Sequence, residues 1–236
     1  MSALYLIRHG QAGTRDNYDR LSDLGHEQTR LLGTYLAEQR IPFERMISGA
    51  LKRQQETAAN VVEELRRAGA PCPDLQTDPA WNEFDLDDVY QQVAPQIAAV
   101  DENFRLGYEA LLRSIESPED AIHRKHSSLD IAVVLAWIGK RFPYSGESFQ
   151  AFAARIHGAL AAVKDAQGPV AVFTSATPTG LAVAAALELP VEHSMKLAGV
   201  AYNAGFSTLR MQQQGFTLFS FNNTPHLADA RLRTFR

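Results

Sequence analysis

An arginine, a histidine and a glycine follow a short apolar run near the start of the chain, in LIRHGQAG, residues 6–13. The cationic Arg8 disfavours protonation of His9, and a neutral imidazole is nucleophilic near physiological pH. Gly10 lets a backbone approach closely. The pattern indicates an anion pocket with a nucleophile in its floor, although the same residues also suit the plain end of a strand.

Two later segments carry other groups that phosphoryl transfer requires: positive charge around the phosphate oxygens and a proton for the leaving oxygen. Arg53, in SGALKRQQETA, has a planar guanidinium that meets phosphate with two bonds, one turn into a predicted helix. Glu83, in WNEFD, lies beside aromatic residues that desolvate a carboxyl group. Asp85, Asp87 and Asp88 compete with Glu83 for the same role.

Strands that alternate with helices must position these groups. Buried strands are predicted over residues 4–7, 45–48 and 170–174, a hairpin over 205–211 and 216–221, and helices over 23–39, 51–67, 148–166 and 179–187. This alternation predicts an α/β three-layer sandwich with a mostly parallel central sheet flanked by helices. Ligands bind at the carboxyl ends of such strands, where residues 8–9, 49–53 and 174–177 fall.

The organisation of the chain is predicted to be a single domain over 1–236. The proline-rich stretch 68–80 is interpreted as a loop, and residues 84–145 as a helical insertion, because no linker composition separates them from the rest. A length of 236 residues allows a sizeable core.

Composition excludes several classes of protein. A net charge of −4 gives no indication of a nucleic-acid or acidic-membrane partner, and the single cysteine, Cys72, excludes an internal disulfide or a multi-cysteine metal site. No run approaches the roughly 18 apolar residues of a membrane span. The first residues lack the basic region of a signal peptide, so a cytoplasmic protein is expected.

Five segments, in order along the chain, resemble the histidine phosphatase superfamily, also called the phosphoglycerate mutase-like family. They are R-H-G; LSDLGHEQ, similar to L-T-x-x-G-x-x-Q; GALKRQQETA, similar to S-P-L-x-R-A-x-Q-T-A; GESFQAFAARI, similar to G-E-S with a trailing Arg155; and NNTPHL, similar to N-x-x-H-L.

The resemblance implies that His9 attacks phosphorus and becomes a phosphohistidine. Arg8 and Arg53 would hold the phosphate, and Glu83 would protonate the leaving group and then activate water. It implies no metal or organic cofactor, and a small phosphate ester or inorganic phosphate as the ligand.

The chain departs from this family after the late strand, where a segment like V-x-V-V-S-H-G-G carries a second histidine. VAVFTSATPTG, aligned without gaps, has Ser175 at that position, and Pro178 predicts an extended Thr177 and a reshaped loop. Losing one such donor costs about 2.7–4 kcal/mol of transition-state stabilisation. Ser175 can donate a neutral hydrogen bond; His226 and the basic cluster 123–126 are alternative sources of an imidazole.

Candidate substrate-binding residues complete the site. These are Gly10, Gln11, Asn17, Ser22, Ser175 and Ala176. Ser22 also suits a plain helix cap, and Gln28 a surface amide. A phosphomonoester hydrolase is the favoured function. A phosphate-ester-binding protein without useful catalysis is the alternative that Ser175 supports, and the missing histidine argues against a phosphoglycerate mutase.

Overall fold

The computed structural model describes residues 2–13, 19–115 and 128–235. The chain divides into two compact units, one formed by Met1–Glu83 with Arg155–Arg236 and the other by Phe84–Ala154. The single domain with a helical insertion over 84–145 stays a prediction.

The first unit contains a six-stranded sheet in the order β3-β2-β4-β1-β5-β6. The strands are β1 (Ala3–Arg8), β2 (Arg45–Ser48), β3 (Leu75–Thr77), β4 (Val170–Thr174), β5 (Phe206–Gln212) and β6 (Gly215–Asn223). β1 to β4 run parallel, and β5 and β6 add antiparallel pairs. The predicted α/β class with a mostly parallel sheet flanked by helices is therefore confirmed.

Helices follow the strands much as the periodicity predicts. They are α1 (Asp23–Glu38), α2 (Lys52–Arg67), α3 (Leu86–Ala98), α4 (Glu102–Ile115), α5 (Ser128–Ile138), α6 (Phe149–Val163), α7 (Ala176–Ala186) and α8 (Ser194–Ala198). β3 is the strand that the loop interpretation of 68–80 missed. It has three residues and two of them are exposed, so it lacks a periodic signal, and pairing with β2 creates it.

Both faces of the sheet are covered, as a parallel sheet requires. Ile7 and Phe173 lie in one core cluster with apolar residues of α1 and α2, such as Leu36 and Val61. The alternate positions of β1 and β4 point to the other face and are fully buried, and α7 packs against β1, β5 and β6. Among the described residues, no helix has the length and apolar composition needed to cross a membrane.

The second unit consists of helices that pack on one another, with α3 against α4 and α5. Asp85 caps the start of α3, and Asp88 accepts a hydrogen bond from the Tyr144 hydroxyl at 2.6 Å. Two of the carboxyl groups that compete with Glu83 are thus engaged inside this unit.

His226 is packed between aromatic rings of the first unit. Its ring centroid lies 6.3 Å from that of Tyr35 and 6.5 Å from that of Phe206. Burial lowers the pKa of His226 to about 4, because a charged imidazole is poorly solvated there. The histidine considered above as a substitute imidazole therefore belongs to the packing between α1 and β5.

This buried histidine makes stability depend on pH. An unfolded chain protonates His226 near pH 6.5, whereas the folded chain does so near pH 4, so the unfolded state binds more protons between these values. We expect the free energy of unfolding to fall as pH drops through this window. When the pH is lowered from 7 to 4.5, the free energy of unfolding from urea titrations should fall by about 2 kcal/mol less in H226F than in the wild type. An equal loss in both proteins would contradict the assignment.

Candidate active site

The carboxyl ends of three neighbouring strands bring the candidate residues to one edge of the sheet. The His9 amide donates to the Thr174 carbonyl at 2.9 Å, and the Gly49 amide donates to the Phe173 carbonyl at 3.0 Å. β1 and β4 pair in register up to Arg8 and Thr174. The residues that follow these strands, including His9 and Ser175, are therefore adjacent.

The His9 imidazole is neutral and oriented. Its side chain is buried, and Nδ1 lies 2.7 Å from the Gly10 carbonyl oxygen. A carbonyl can only accept, so Nδ1 carries the proton and the lone pair is on Nε2. Burial, and then the charges of Arg53 and Arg8, hold the pKa of His9 well below its usual range. His9 thus has the protonation state of a nucleophile.

Two buried guanidinium groups act on this imidazole. Arg8 is 4% exposed and donates through Nη1 to the Ala201 carbonyl, and Arg53 is 7% exposed. Arg53 Nη1 forms a 2.9 Å salt bridge with Asp19, whose carboxylate also accepts from the Lys52 amide. Buried cations are stable only with such partners, and an anion with several oxygens is a further partner that they suit.

Gly10 lies where the loop after β1 crosses α1. A Cβ at Gly10 would stand 2.6 Å from the Gly25 carbonyl oxygen and 2.8 Å from the Thr29 side chain, so the crossing requires glycine. The Gly10 amide donates to Thr57 Oγ1 at 3.1 Å, and that hydroxyl donates to the Arg53 carbonyl at 2.7 Å. Thr57 thereby links the loop of His9 to the helix that carries Arg53.

Gln11 and Ser22 fasten the same loop to the start of α1. Ser22 accepts from the Gly25 amide, which confirms it as a helix cap, and its hydroxyl donates to Gln11 Oε1 at 2.8 Å. The Gln11 amide donates to Gln28 Oε1 at 2.8 Å, and Gln28 Nε2 donates to the Leu232 carbonyl. Gln28 is fully buried, so the surface interpretation is wrong: it bridges two distant segments. Substrate contacts by Gln11 and Ser22 stay predictions.

Glu83 lies at the N-terminus of α7. Its Oε2 accepts from the Thr177 amide at 3.0 Å, a bond that either protonation state of the carboxyl group can accept. Arg155 holds the segment before Glu83, because its Nη1 donates to the carbonyls of Ala80 at 2.9 Å and Asn82 at 3.0 Å. Arg155 therefore holds the backbone that precedes Glu83, and the Thr177 amide holds its carboxyl group.

Ser175 is the N-cap residue of α7 and is buried. Its Oγ accepts from Gln54 Nε2 at 2.9 Å. Ala176 is the first residue of α7 and is half-buried. Thr174 Oγ1 donates to the Trp81 carbonyl at 2.6 Å. Thr174, the last residue of β4, thus contacts the segment that leads to Glu83, and Ser175 contacts α2.

The prediction of an extended Thr177 is wrong, whereas a loop reshaped relative to the family stays a prediction. α7 begins at Ala176 rather than at Thr179, so Thr177 is helical and Pro178 is the third helical residue. Backbone amides of the first turn have no partner within the helix, so a proline there removes no helical hydrogen bond. The bond from the Thr177 amide to Glu83 favours this earlier start.

The sequence interpretation did not predict three contacts of the candidate site. Asp19 and Arg53 are 34 positions apart, and no local pattern pairs them. Arg155 belongs to a matched segment, but nothing in that segment indicated its carbonyl partners. Gln54 stands where the resembling family segment has alanine, and that long polar residue was the available signal. Asn17 and the basic cluster 123–126 lie outside the described residues.

Known proteins match this chain in sequence. Over 93 residues it is 31% identical to the serine/threonine-protein phosphatase Pgam5, mitochondrial, of Caenorhabditis briggsae. That match covers 35% of this chain and 33% of the relative, so the chain spans about a third of the length of the curated relatives that it matches.

Solved structures share the fold over nearly the whole chain. The complex of a mycobacterial glucosyl-3-phosphoglycerate phosphatase with inorganic phosphate has a TM-score of 0.61 at 21% identity, covering 96% of this chain and 99% of that one. A phosphoglycerate mutase from Bacillus anthracis has a TM-score of 0.62 at 20% identity, covering 96% and 95%.

The family model for the histidine phosphatase superfamily (branch 1) matches residues 4–224. That range runs from β1 to β6 and includes His9, Arg53, Glu83 and Ser175. Because the match takes in every strand of the sheet and each of these residues, the chain belongs to the histidine phosphatase superfamily, branch 1.

Proposed function

We propose that this protein is a phosphomonoester hydrolase that acts through a phosphohistidine at His9. One observation carries the proposal: a buried, neutral imidazole with its proton on Nδ1, under the influence of two buried guanidinium groups. A neutral Nε2 supplies the electron pair that attacks phosphorus, and Arg8 and Arg53 offset the charge on the phosphate oxygens.

The reaction takes two displacements. In the first, His9 Nε2 forms a bond to phosphorus, the bond from phosphorus to the ester oxygen breaks, and Glu83 gives its proton to that oxygen. In the second, Glu83 takes a proton from water, the water oxygen attacks phosphorus, and the bond to Nε2 breaks. Inorganic phosphate leaves, and both side chains return to their starting protonation states.

Ser175 is proposed to stand where the resembling family segment has its second histidine. A serine hydroxyl donates a neutral hydrogen bond to a phosphate oxygen, whereas a protonated imidazole would add charge. We therefore propose an active enzyme of an atypical branch, in which the Ser175 hydroxyl donates to the phosphate.

The substrate is proposed to be a small phosphate monoester. The glucosyl-3-phosphoglycerate phosphatase, which shares the fold, is named for such an ester, whereas Pgam5 is named as a protein phosphatase. Both classes belong in a substrate screen.

The test is phosphate release by the purified protein from aryl and alkyl phosphates, phosphorylated sugars and a phosphoserine peptide. We expect turnover together with a phosphoenzyme that survives alkali and decays in acid, because the P–N bond of phosphohistidine is acid-labile. Binding of inorganic phosphate without turnover of any ester would support the non-catalytic alternative. Transfer of phosphate between the 2- and 3-positions of glycerate would instead support a mutase.

A further inference from the structure

Gln54 is a fully buried glutamine in the first turn of α2, one residue after Arg53. Burying a primary amide is unfavourable unless its donors and acceptor are hydrogen-bonded. This position of the amide also requires a glycine at position 49, because a Cβ at Gly49 would clash with Gln54 Oε1. Such a placement calls for a specific set of partners.

The partners of Gln54 determine which way its amide is oriented. Nε2 donates to Ser175 Oγ at 2.9 Å and to the Trp81 carbonyl at 3.2 Å, while Oε1 accepts from the Leu51 amide at 3.3 Å. A flipped amide would place Oε1 against the Trp81 carbonyl oxygen, and two acceptors repel each other. The donor therefore faces Ser175.

This bond determines what the Ser175 hydroxyl can do. Because its oxygen accepts from Gln54, its hydrogen must point away from Gln54. An N-cap serine ordinarily accepts from an amide of the first helical turn, but the Ser175 side chain makes no such bond, and the Thr177 amide is bonded to Glu83 instead. Ser175 thus occupies the N-cap position of α7 without a side-chain capping bond, and its hydroxyl can donate only in a direction away from Gln54.

The same amide connects three segments of the site. α2 carries Arg53, the Trp81 carbonyl lies two residues before Glu83, and Ser175 immediately precedes α7. We propose that Gln54 is a positioning residue that directs the Ser175 hydroxyl toward the transferring phosphate, where Ser175 serves as the neutral replacement for an imidazole donor. This inference rests on the proposed function.

The test is a double-mutant cycle with S175A, Q54L and the double variant, measured as kcat and KM on an aryl phosphate. S175A removes a donor aimed at developing charge and should lower kcat about 100-fold. Q54L leaves that donor undirected and should lower kcat/KM about tenfold. If Gln54 acts through Ser175, the double variant should match S175A within about twofold.

Q55L is the matched control, because Gln55 is a half-buried glutamine on the same turn of α2 outside the proposed site, and its kcat should equal that of the wild type. Thermal unfolding checks the fold, and Q54M, which keeps the length of the side chain, replaces Q54L if leucine prevents folding. Losses that multiply in the double variant would overturn the positioning role.

A readout without turnover separates this inference from the proposed function. The same variants are titrated with inorganic phosphate, and non-additive losses in affinity between Q54L and S175A are expected there too. A wild type without turnover but with coupled phosphate binding would reject the hydrolase and keep the positioning role. Turnover with additive effects on both readouts would keep the hydrolase and reject the positioning role.

Discussion

Replacement of His9 by alanine is expected to lower phosphate release by about 10⁴–10⁶-fold and to abolish the alkali-stable phosphoenzyme. The loss is this large because the imidazole, with its neutral and oriented lone pair, forms the covalent bond to phosphorus. Both readouts are taken on the same preparation, as rapid-quench phosphoenzyme and steady-state phosphate release.

The matched variant is H9N. Asparagine offers an N–H near the position of Nδ1, so the bond to the Gly10 carbonyl can persist while the nucleophile is lost. H9N should therefore fold like the wild type, bind inorganic phosphate and fail to turn over. H157A changes an exposed histidine of α6 and should keep the full rate. Retention of the wild-type rate in H9A would assign catalysis to another group or to a contaminant.

Replacement of Glu83 by glutamine is expected to lower kcat by about 10²–10⁴-fold for alkyl phosphates, whose leaving oxygen needs a proton. Aryl phosphates with a good leaving group need no such proton, so E83Q should still form the phosphoenzyme from them. The phosphoenzyme should then break down slowly, because the glutamine cannot take a proton from water. Rapid mixing with 4-nitrophenyl phosphate should then show a burst of one equivalent of nitrophenol per active site.

The design of this experiment separates chemistry from structure. Glutamine keeps an oxygen that accepts from the Thr177 amide, so the start of α7 is retained in E83Q. D87N changes an exposed, competing carboxylate on α3 and should show neither a burst nor a dependence on the leaving group. If E83Q lowers kcat equally for aryl and alkyl esters and shows no burst, Glu83 has a structural role and is not the proton donor.

Much of the scaffold could be predicted because it depends on local pattern. Buried runs such as Val170–Thr174 and the helical spacing in Asp23–Glu38 arise from burial of apolar side chains at period two or 3.6, which neighbouring residues determine. The rule that parallel strands place their ligands at their carboxyl ends then brings Arg8, His9 and Arg53 to one edge. Local pattern could not predict β3, because a strand of three residues forms through its pairing with β2.

The fine structure of the site depended on contacts between distant residues. The Gln54 amide and the Ser175 hydroxyl are 121 positions apart, and Glu83 is 94 positions from Thr177. The side chains of Gln28 and Gln54 are polar and lie in segments with ordinary helical periodicity, so composition alone favours exposure. The sequence by itself determined the resemblance to the family, the mostly parallel class of the sheet and the candidates for the nucleophile and the phosphate-binding arginines. Only the tertiary structure decided which ring nitrogen of His9 carries the proton, how the Ser175 hydroxyl is oriented and where α7 begins. The orientation of Ser175 and the start of α7 depend on hydrogen bonds between remote segments, and the His9 proton depends on the position of the Gly10 carbonyl.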